Sequence, residues 1–157
     1  MEIKIIKIKK EDQKEAGKFC QTIYEEMGWN KKFMYGFEDL GKTFGSSGEV
    51  FFLAKNAGKI IGCVGLKKLN RETSLMKRFY VDKEYRGAGL AGLLFRKILK
   101  FSKAKEYQSI VLDTYQNNFR AQKFYLKCGF REFSPEPQDK WPESQAPQLF
   151  KYFKLDL

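Results

Sequence analysis

The stretch from Lys77 to Ala91 constrains this chain more than any other, because it joins a strand to a helix through small residues. It opens on the strand-like run Lys77-Arg-Phe-Tyr-Val81 and crosses a charged link, Asp82 to Arg86. It then enters a helical pattern as Gly87-Ala88-Gly89-Leu90-Ala91. Backbone amides at the start of a helix have no partner inside it, and the helix dipole favours an anion in front of them. Glycines remove the side chains that would keep such an anion from the backbone. The stretch by itself implies a phosphorylated ligand.

The rest of the chain supplies the sheet around that crossover. Ile3 to Ile8 alternates as a strand, and Glu11 to Met27 carries Ala16, Phe19, Cys20, Ile23, Tyr24 and Met27 at helical spacing, with Gly28 as its stop. Trp29 to Gly48 reads as a short second helix with loops. Its aromatic residues Trp29, Phe33, Tyr35, Phe37 and Phe44 suit either a substrate pocket or ordinary packing. Glu49 to Lys55 and Lys59 to Leu69 form a hairpin about Asn56-Ala57-Gly58, and Thr73 to Val81 extends it to an antiparallel meander. After the glycines, Leu90, Leu93, Leu94, Ile98 and Phe101 make one helical stripe. A strand from Ser109 to Thr114, a helix from Phe119 to Cys128 and a strand near Phe130 to Phe133 follow. Ser134 to Pro147 is a loop holding all four prolines, and Leu149 to Leu155 closes the sheet. The strands on either side of the glycine helix should be parallel neighbours. The expected fold is α/β (α+β): residues 1–157 as one domain, a mixed, mostly antiparallel sheet of six to seven strands flanked by about four helices.

Composition narrows the function. At 157 residues with 43% apolar and 16% aromatic content, the chain can bury a core. No apolar run approaches the roughly 18–20 residues that span a bilayer, and the first residues lack a signal-peptide block. A cytoplasmic protein without a membrane partner is expected. There is no histidine, and Cys20, Cys63 and Cys128 lie far apart in apolar contexts, so no metal site and no Ser-His or Cys-His nucleophile is expected. The net charge of +11 comes from scattered lysines without a basic run; most of it reads as a solvated lysine-rich surface, which would also draw in a small polyanionic cofactor.

Gly87-Ala-Gly89-Leu-Ala-Gly92 also matches the dinucleotide-binding pattern, with Asp113 lying 21 residues after Gly92. The context is wrong for it. Five residues separate the strand from the first glycine, and an antiparallel meander stands where a first parallel strand should be. Two longer blocks fit something else. Tyr85-Arg86-Gly87-Ala88-Gly89-Leu90-Ala91 resembles the R/Q-x-x-G-x-G/A motif of the GNAT family of N-acetyltransferases. Asn118-Phe-Arg-Ala121-Gln-Lys-Phe-Tyr125, ending in Gly129-Phe130, is similar to that family's second signature. Their spacing and the element order agree with the family over nearly the whole chain.

That resemblance implies the GNAT fold, with two parallel strands splayed apart, and acetyl-CoA as co-substrate with no metal. The backbones of Phe79 and Val81 would pair with the pantetheine arm. The amides of Arg86, Gly87, Ala88, Gly89, Leu90 and Ala91 would hold the pyrophosphate, and Asn118 would contact the cofactor while also suiting a helix N-cap. Lys123 or Lys127 would lie towards the 3′-phosphate. Tyr125 corresponds to the general acid that protonates the CoA sulfur, and the amide of Val81 to the oxyanion donor. The implied reaction moves an acetyl group to a primary amine of a small-molecule or peptide acceptor by direct attack. Many relatives carry a glutamate near the position of Leu75, which cannot take a proton. Glu72 is therefore the tentative base, with Glu49, Asp113 or a water chain as fallbacks. A non-catalytic acyl-CoA sensor of the same fold is the alternative, and a nucleic-acid-binding protein the more distant one. Many relatives are homodimers, and no residue here fixes the oligomeric state.

Overall fold

The computed structural model describes residues 2–157. Seven strands form one sheet in the order β1-β2-β3-β4-β5-β7-β6. They are β1 (Ile3–Lys7), β2 (Val50–Asn56), β3 (Lys59–Lys68), β4 (Thr73–Val81), β5 (Ser109–Tyr115), β6 (Arg131–Glu132) and β7 (Phe150–Asp156). The helices are α1 (Gln13–Glu26), α2 (Leu40–Thr43), α3 (Leu90–Ala104) and α4 (Phe119–Lys127). Of the strand pairs only β4–β5 is parallel, as the crossover through α3 requires. The mixed, mostly antiparallel sheet expected from the sequence is the one observed. The β2–β3 hairpin turns on Ala57 and Gly58, both at positive φ (51° and 82°), the geometry that matches strand twist in a two-residue turn.

The sheet buries an apolar cluster on each face. One lies under α1, α2 and the proline-rich loop, and includes Cys20, Phe51, Leu53, Leu75, Trp141 and Phe150. The other lies under α3 and α4, and includes Ile61, Leu94, Ile98, Leu112, Tyr125 and Phe153. The strands between them have side chains buried on both sides, so β2, β3 and β4 read as near-continuous apolar runs.

Two irregularities in β4 create an opening. Its parallel pairing with β5 covers only Thr73–Ser109, Ser74–Ile110 and Leu75–Val111, and beyond Leu75 the two strands part. On its other side, Cys63 faces Tyr80 and Gly65 faces Lys77, so β4 carries one extra residue. Arg78 sits at this bulge with φ +55°, an uncommon conformation for a residue with a Cβ.

Candidate active site

The cleft left by the parting strands runs through the sheet. It is a narrow cavity of about 80 Å³ that takes residues from both core clusters. Phe79 from β4 and Ala121 and Tyr125 from α4 line one side, whereas Lys77, Arg78, Asp113, Tyr115 and Glu143 line the other. A larger hollow of about 1,000 Å³ lies elsewhere, between the start of α1 and α2, and is faced by lysines and glutamines together with apolar residues such as Ile8, Met34 and Phe37.

The glycine turn follows β4 and lies beside the start of α4, whose Ala121 and Tyr125 line the cleft. Gly87 and Gly89 both take φ +84°, and Gly89 caps α3 from the left-handed region. The first bond of the helix is the Leu93 amide to the Gly89 carbonyl. The amides of Gly87, Gly89, Leu90 and Ala91 therefore have no backbone partner, while those of Arg86 and Ala88 make only long bonds of 3.4 Å within the turn. A Cβ built on Gly89 would meet nothing within 4 Å, so the space before these amides is open. Such a cradle fits a diphosphate. The Arg86 side chain points away from it, donating from Nε to the Val81 carbonyl and pairing with Glu26 at 3.0 Å. Arg120 at the start of α4 reaches over the turn instead, with a guanidinium nitrogen 3.9 Å from where a Gly87 Cβ would lie. Lys123 and Lys127 are exposed on the same helix.

Past Leu75 the inner edge of β4 is unpaired. The Asp82 amide donates to Ile61 on β3, and successive residues of a strand alternate sides, so the Val81 and Phe79 backbones face the gap. Asn118 lines the cleft and caps α4, its Oδ1 accepting from the Ala121 amide at 3.4 Å.

Tyr125 stands on the same side of the sheet as the glycine turn, among Phe79, Phe130 and Phe153. Its hydroxyl makes no hydrogen bond within the described residues, yet it is not sealed. Among the described residues, the one buried side-chain polar atom without a partner is Ser102 Oγ. The Tyr125 hydroxyl therefore opens on the cleft. Burial, and secondarily the charge of Asp113, push this phenol well above its usual range, so it stays protonated.

The opposite wall is charged. Lys77 Nζ lies 3.1 Å from Asp113 Oδ2 and 2.7 Å from Glu143 Oε2. Tyr35 donates to Glu143, and the Trp141 indole donates to Asp113 Oδ2 at 2.8 Å. Arg78 donates to the Phe33 and Tyr35 carbonyls and lies 4.5 Å and 4.7 Å from the Tyr35 and Phe37 rings. Burial opposes its charge, but Tyr80, Tyr35 and Glu143 outweigh burial and keep it protonated. An aromatic group completes this wall. Trp29 stacks on Tyr115 at 5.1 Å, and the Tyr115 and Tyr24 hydroxyls are 2.9 Å apart.

One sequence-derived residue does not reach the site. Glu72 is exposed at the turn before β4. At about 3.3 Å per residue it lies roughly 20 Å along the strand from Phe79, too far to take a proton from a group at Tyr125. Glu49 is at the same end of the sheet, tied to the Ser46 and Lys68 amides. Asp113 alone of the three carboxylates lies in the cleft. Sequence reasoning missed Lys77, Arg78, Arg120 and Glu143. The first two carried a signal: adjacent cations in a strand otherwise apolar on both faces must find buried partners.

A family model described as the acetyltransferase (GNAT) family matches residues 17–130. The chain belongs to the GNAT family. It is 38% identical over 86 residues to an N-acetylaspartate synthetase of Xenopus tropicalis, covering 54% of this chain and 31% of that protein. It is 33% identical over 100 residues to N-acetyltransferase 8B of Homo sapiens, covering 60% and 44%. The chain thus spans less than half the length of these two curated relatives. Among solved structures, a GNAT-family acetyltransferase from Staphylococcus aureus superposes with TM-score 0.85 at 27% identity, over 99% of both chains. The PaiA N-acetyltransferase from Thermoplasma acidophilum, in complex with coenzyme A, has the same fold, with TM-score 0.74 at 18% identity over the whole of both chains. Among the described residues no group of three or more His, Cys, Asp or Glu could hold a metal ion, and no helix is long and apolar enough to cross a membrane.

Proposed function

We propose that residues 1–157 form one acetyl-CoA-dependent N-acetyltransferase domain that transfers an acetyl group directly to a primary amine in a ternary complex. The observation that carries this is the cleft itself. The parting of β4 from β5 opens a gap between an unpartnered phenol and a polar wall, and the unpartnered amides of the glycine turn follow directly on the β4 edge that borders it.

Each residue then has a task set by its surroundings. The amides from Arg86 to Ala91 hold the diphosphate, with Arg120 adding a cation at its edge. The inward-facing backbones of Phe79 and Val81 hydrogen-bond the pantetheine amides as an added strand. Asn118 keeps its side-chain NH₂ free to donate to the cofactor while its oxygen caps α4. The Val81 amide stabilises the charge that develops on the thioester oxygen during attack. Tyr125, protonated and facing the cleft, gives its proton to the departing sulfur. The coenzyme A complex of the Thermoplasma acidophilum relative supports the choice of co-substrate on the shared fold.

The acceptor meets the wall of Trp29, Tyr115, Lys77, Asp113 and Glu143. The test is release of CoA from acetyl-CoA in the presence of L-aspartate, spermidine, an aminoglycoside and a short peptide with a free N-terminus. Release stimulated by at least one amine, with mass-verified N-acetylation, is expected. Saturable acetyl-CoA binding with no stimulated release by any amine would refute transfer and leave a sensor of acyl-CoA.

A further inference from the structure

Asp113 stands apart from the other charged groups of the acceptor wall because its two oxygens are treated differently. Oδ2 is held twice, by Lys77 Nζ at 3.1 Å and by the Trp141 indole at 2.8 Å. Oδ1 has no hydrogen-bond partner among the described residues, and it too is not sealed from the cleft. Glu143 offers no such opening, since both its oxygens are engaged by Tyr35 and one also by Lys77. The placement has a simple origin. Leu75 pairs with Val111 at the last parallel rung, so Asp113, two residues on, occupies the same face of β5 just where the strands part. Continuing that register puts Lys77 opposite Asp113, and their side chains meet across the gap that the backbones no longer bridge.

We propose that Asp113 is the catalytic base of the transfer, its Oδ1 taking the proton from the acceptor amine, with Lys77 and Trp141 as the positioning residues that fix Oδ2. This rests on the acetyl-transfer reading above. As the amine nitrogen forms its bond to the acetyl carbon, one N–H proton passes to Asp113 Oδ1. The carbon–sulfur bond then breaks, and the sulfur takes the proton of Tyr125. Asp113 returns its proton to the Tyr125 phenolate, directly or through water, and both groups end as they began. The balance is one amine and one acetyl thioester in, one amide and one thiol out. The field of Asp113 already acts on Tyr125, as expected of two groups facing one narrow cavity.

The groups around Asp113 are Lys77 and Arg78 on β4, Tyr115 on β5, Tyr125 on α4, Tyr152 on β7, Tyr35 before α2, and Trp141 and Glu143 on the loop before β7. Asp113→Asn keeps the shape and the indole contact and leaves Lys77 paired with Glu143. The assay uses the fastest amine from the panel above, following CoA release across pH 6 to 10, with acetyl-CoA affinity by calorimetry. Expected for Asp113→Asn are a kcat about 100-fold lower, an acetyl-CoA Kd within twofold of wild type, and a rate that climbs steadily with pH because only bulk base remains. A structural role alone would lower melting temperature or cofactor affinity and leave the shape of the pH profile intact. Turnover within threefold of wild type, or a large loss with an unchanged pH profile, would overturn the assignment while leaving acetyl transfer standing. If wild type itself shows no amine-stimulated release, the transfer reading fails first.

Discussion

Tyr125→Phe separates chemistry from folding more cleanly than any other change in this site. The ring stays packed among Phe79, Phe130 and Phe153, and the hydroxyl that is lost has no protein partner to leave unpaired. No buried donor or acceptor is orphaned, so stability should change by no more than about 0.5 kcal/mol. For a domain of this size that is a shift in melting temperature of about 2 °C or less. Acetyl-CoA affinity should hold within about twofold, since the diphosphate and pantetheine sites are backbone. Turnover should drop about 100-fold, or about 2.7 kcal/mol of transition-state stabilisation. The pH profile adds a second check. A phenol donates only while protonated, so its contribution is complete below its pKa and lost as pH rises through it. Burial and the Asp113 charge raise that pKa above the ordinary value near 10. Wild-type kcat should therefore show no alkaline decline up to pH 10. Stopped or continuous thiol detection across pH 6 to 10, on both proteins, reads all of this. Unchanged kcat in Tyr125→Phe would remove Tyr125 from the acid role, and a wild-type decline centred near pH 8 that the variant lacks would refute the raised pKa.

Three further perturbations test other parts of the structure. Gly89→Glu forces a side chain into a left-handed position and places a carboxylate before the open amides. It should abolish calorimetric acetyl-CoA binding and cost about 1–2 kcal/mol of stability, and retained micromolar affinity would refute the cradle. Lys77→Met leaves Asp113 and Glu143 buried without their cation, so thermal unfolding should show a loss of about 3–5 kcal/mol; an unchanged melting temperature would mean that the pairing is not structural. Asp12 tests linkage far from the site. Burial opposes its charge, but the Lys55 ammonium at 2.7 Å and the Lys9 amide outweigh burial and hold its carboxyl below the usual range. A depressed folded-state pKa gives stability that is present above the unfolded value near 4 and lost as pH falls through the folded one. Asp12→Asn should thus lower the melting temperature at pH 7 and by much less at pH 3, and equal losses at both would contradict the ion pair.

Where residues interact with their near neighbours, the sequence was legible. The Ala57-Gly58 turn, the glycine cap of α3, the Asn118 cap of α4 and the stripe through Leu90, Leu94 and Ile98 follow from spacing and backbone preference, and the structure places them as spacing predicts. So does the position of Tyr125 on the same side of the sheet as Leu90, which opens the glycine-led helix. What the sequence did not carry was the acceptor wall. Glu143 lies among prolines, 30 residues beyond Asp113, and only the return of β7 beside β5 brings the loop before it over the cleft. Glu72 failed as a base for the opposite reason. Three residues from Leu75 is near in sequence but places it at the wrong end of an extended strand.

The charged wall also bears on how the gap beyond Leu75 is held. At that rung the facing side chains are apolar, and Leu75 and Val111 bury against one cluster. At the next position on the same face the residues are Lys77 and Asp113. The open gap lets the Lys77 ammonium reach Asp113 and Glu143 together. The extra residue at Arg78 then turns the following backbone, and its guanidinium ties the bulge to the Phe33 and Tyr35 carbonyls. The four buried charges balance, Lys77 and Arg78 against Asp113 and Glu143, so the opening is held by paired ions on one side and aromatic packing on the other. The pair that meets across the parted strands also leaves one carboxylate oxygen of Asp113 without a partner, facing the space between them.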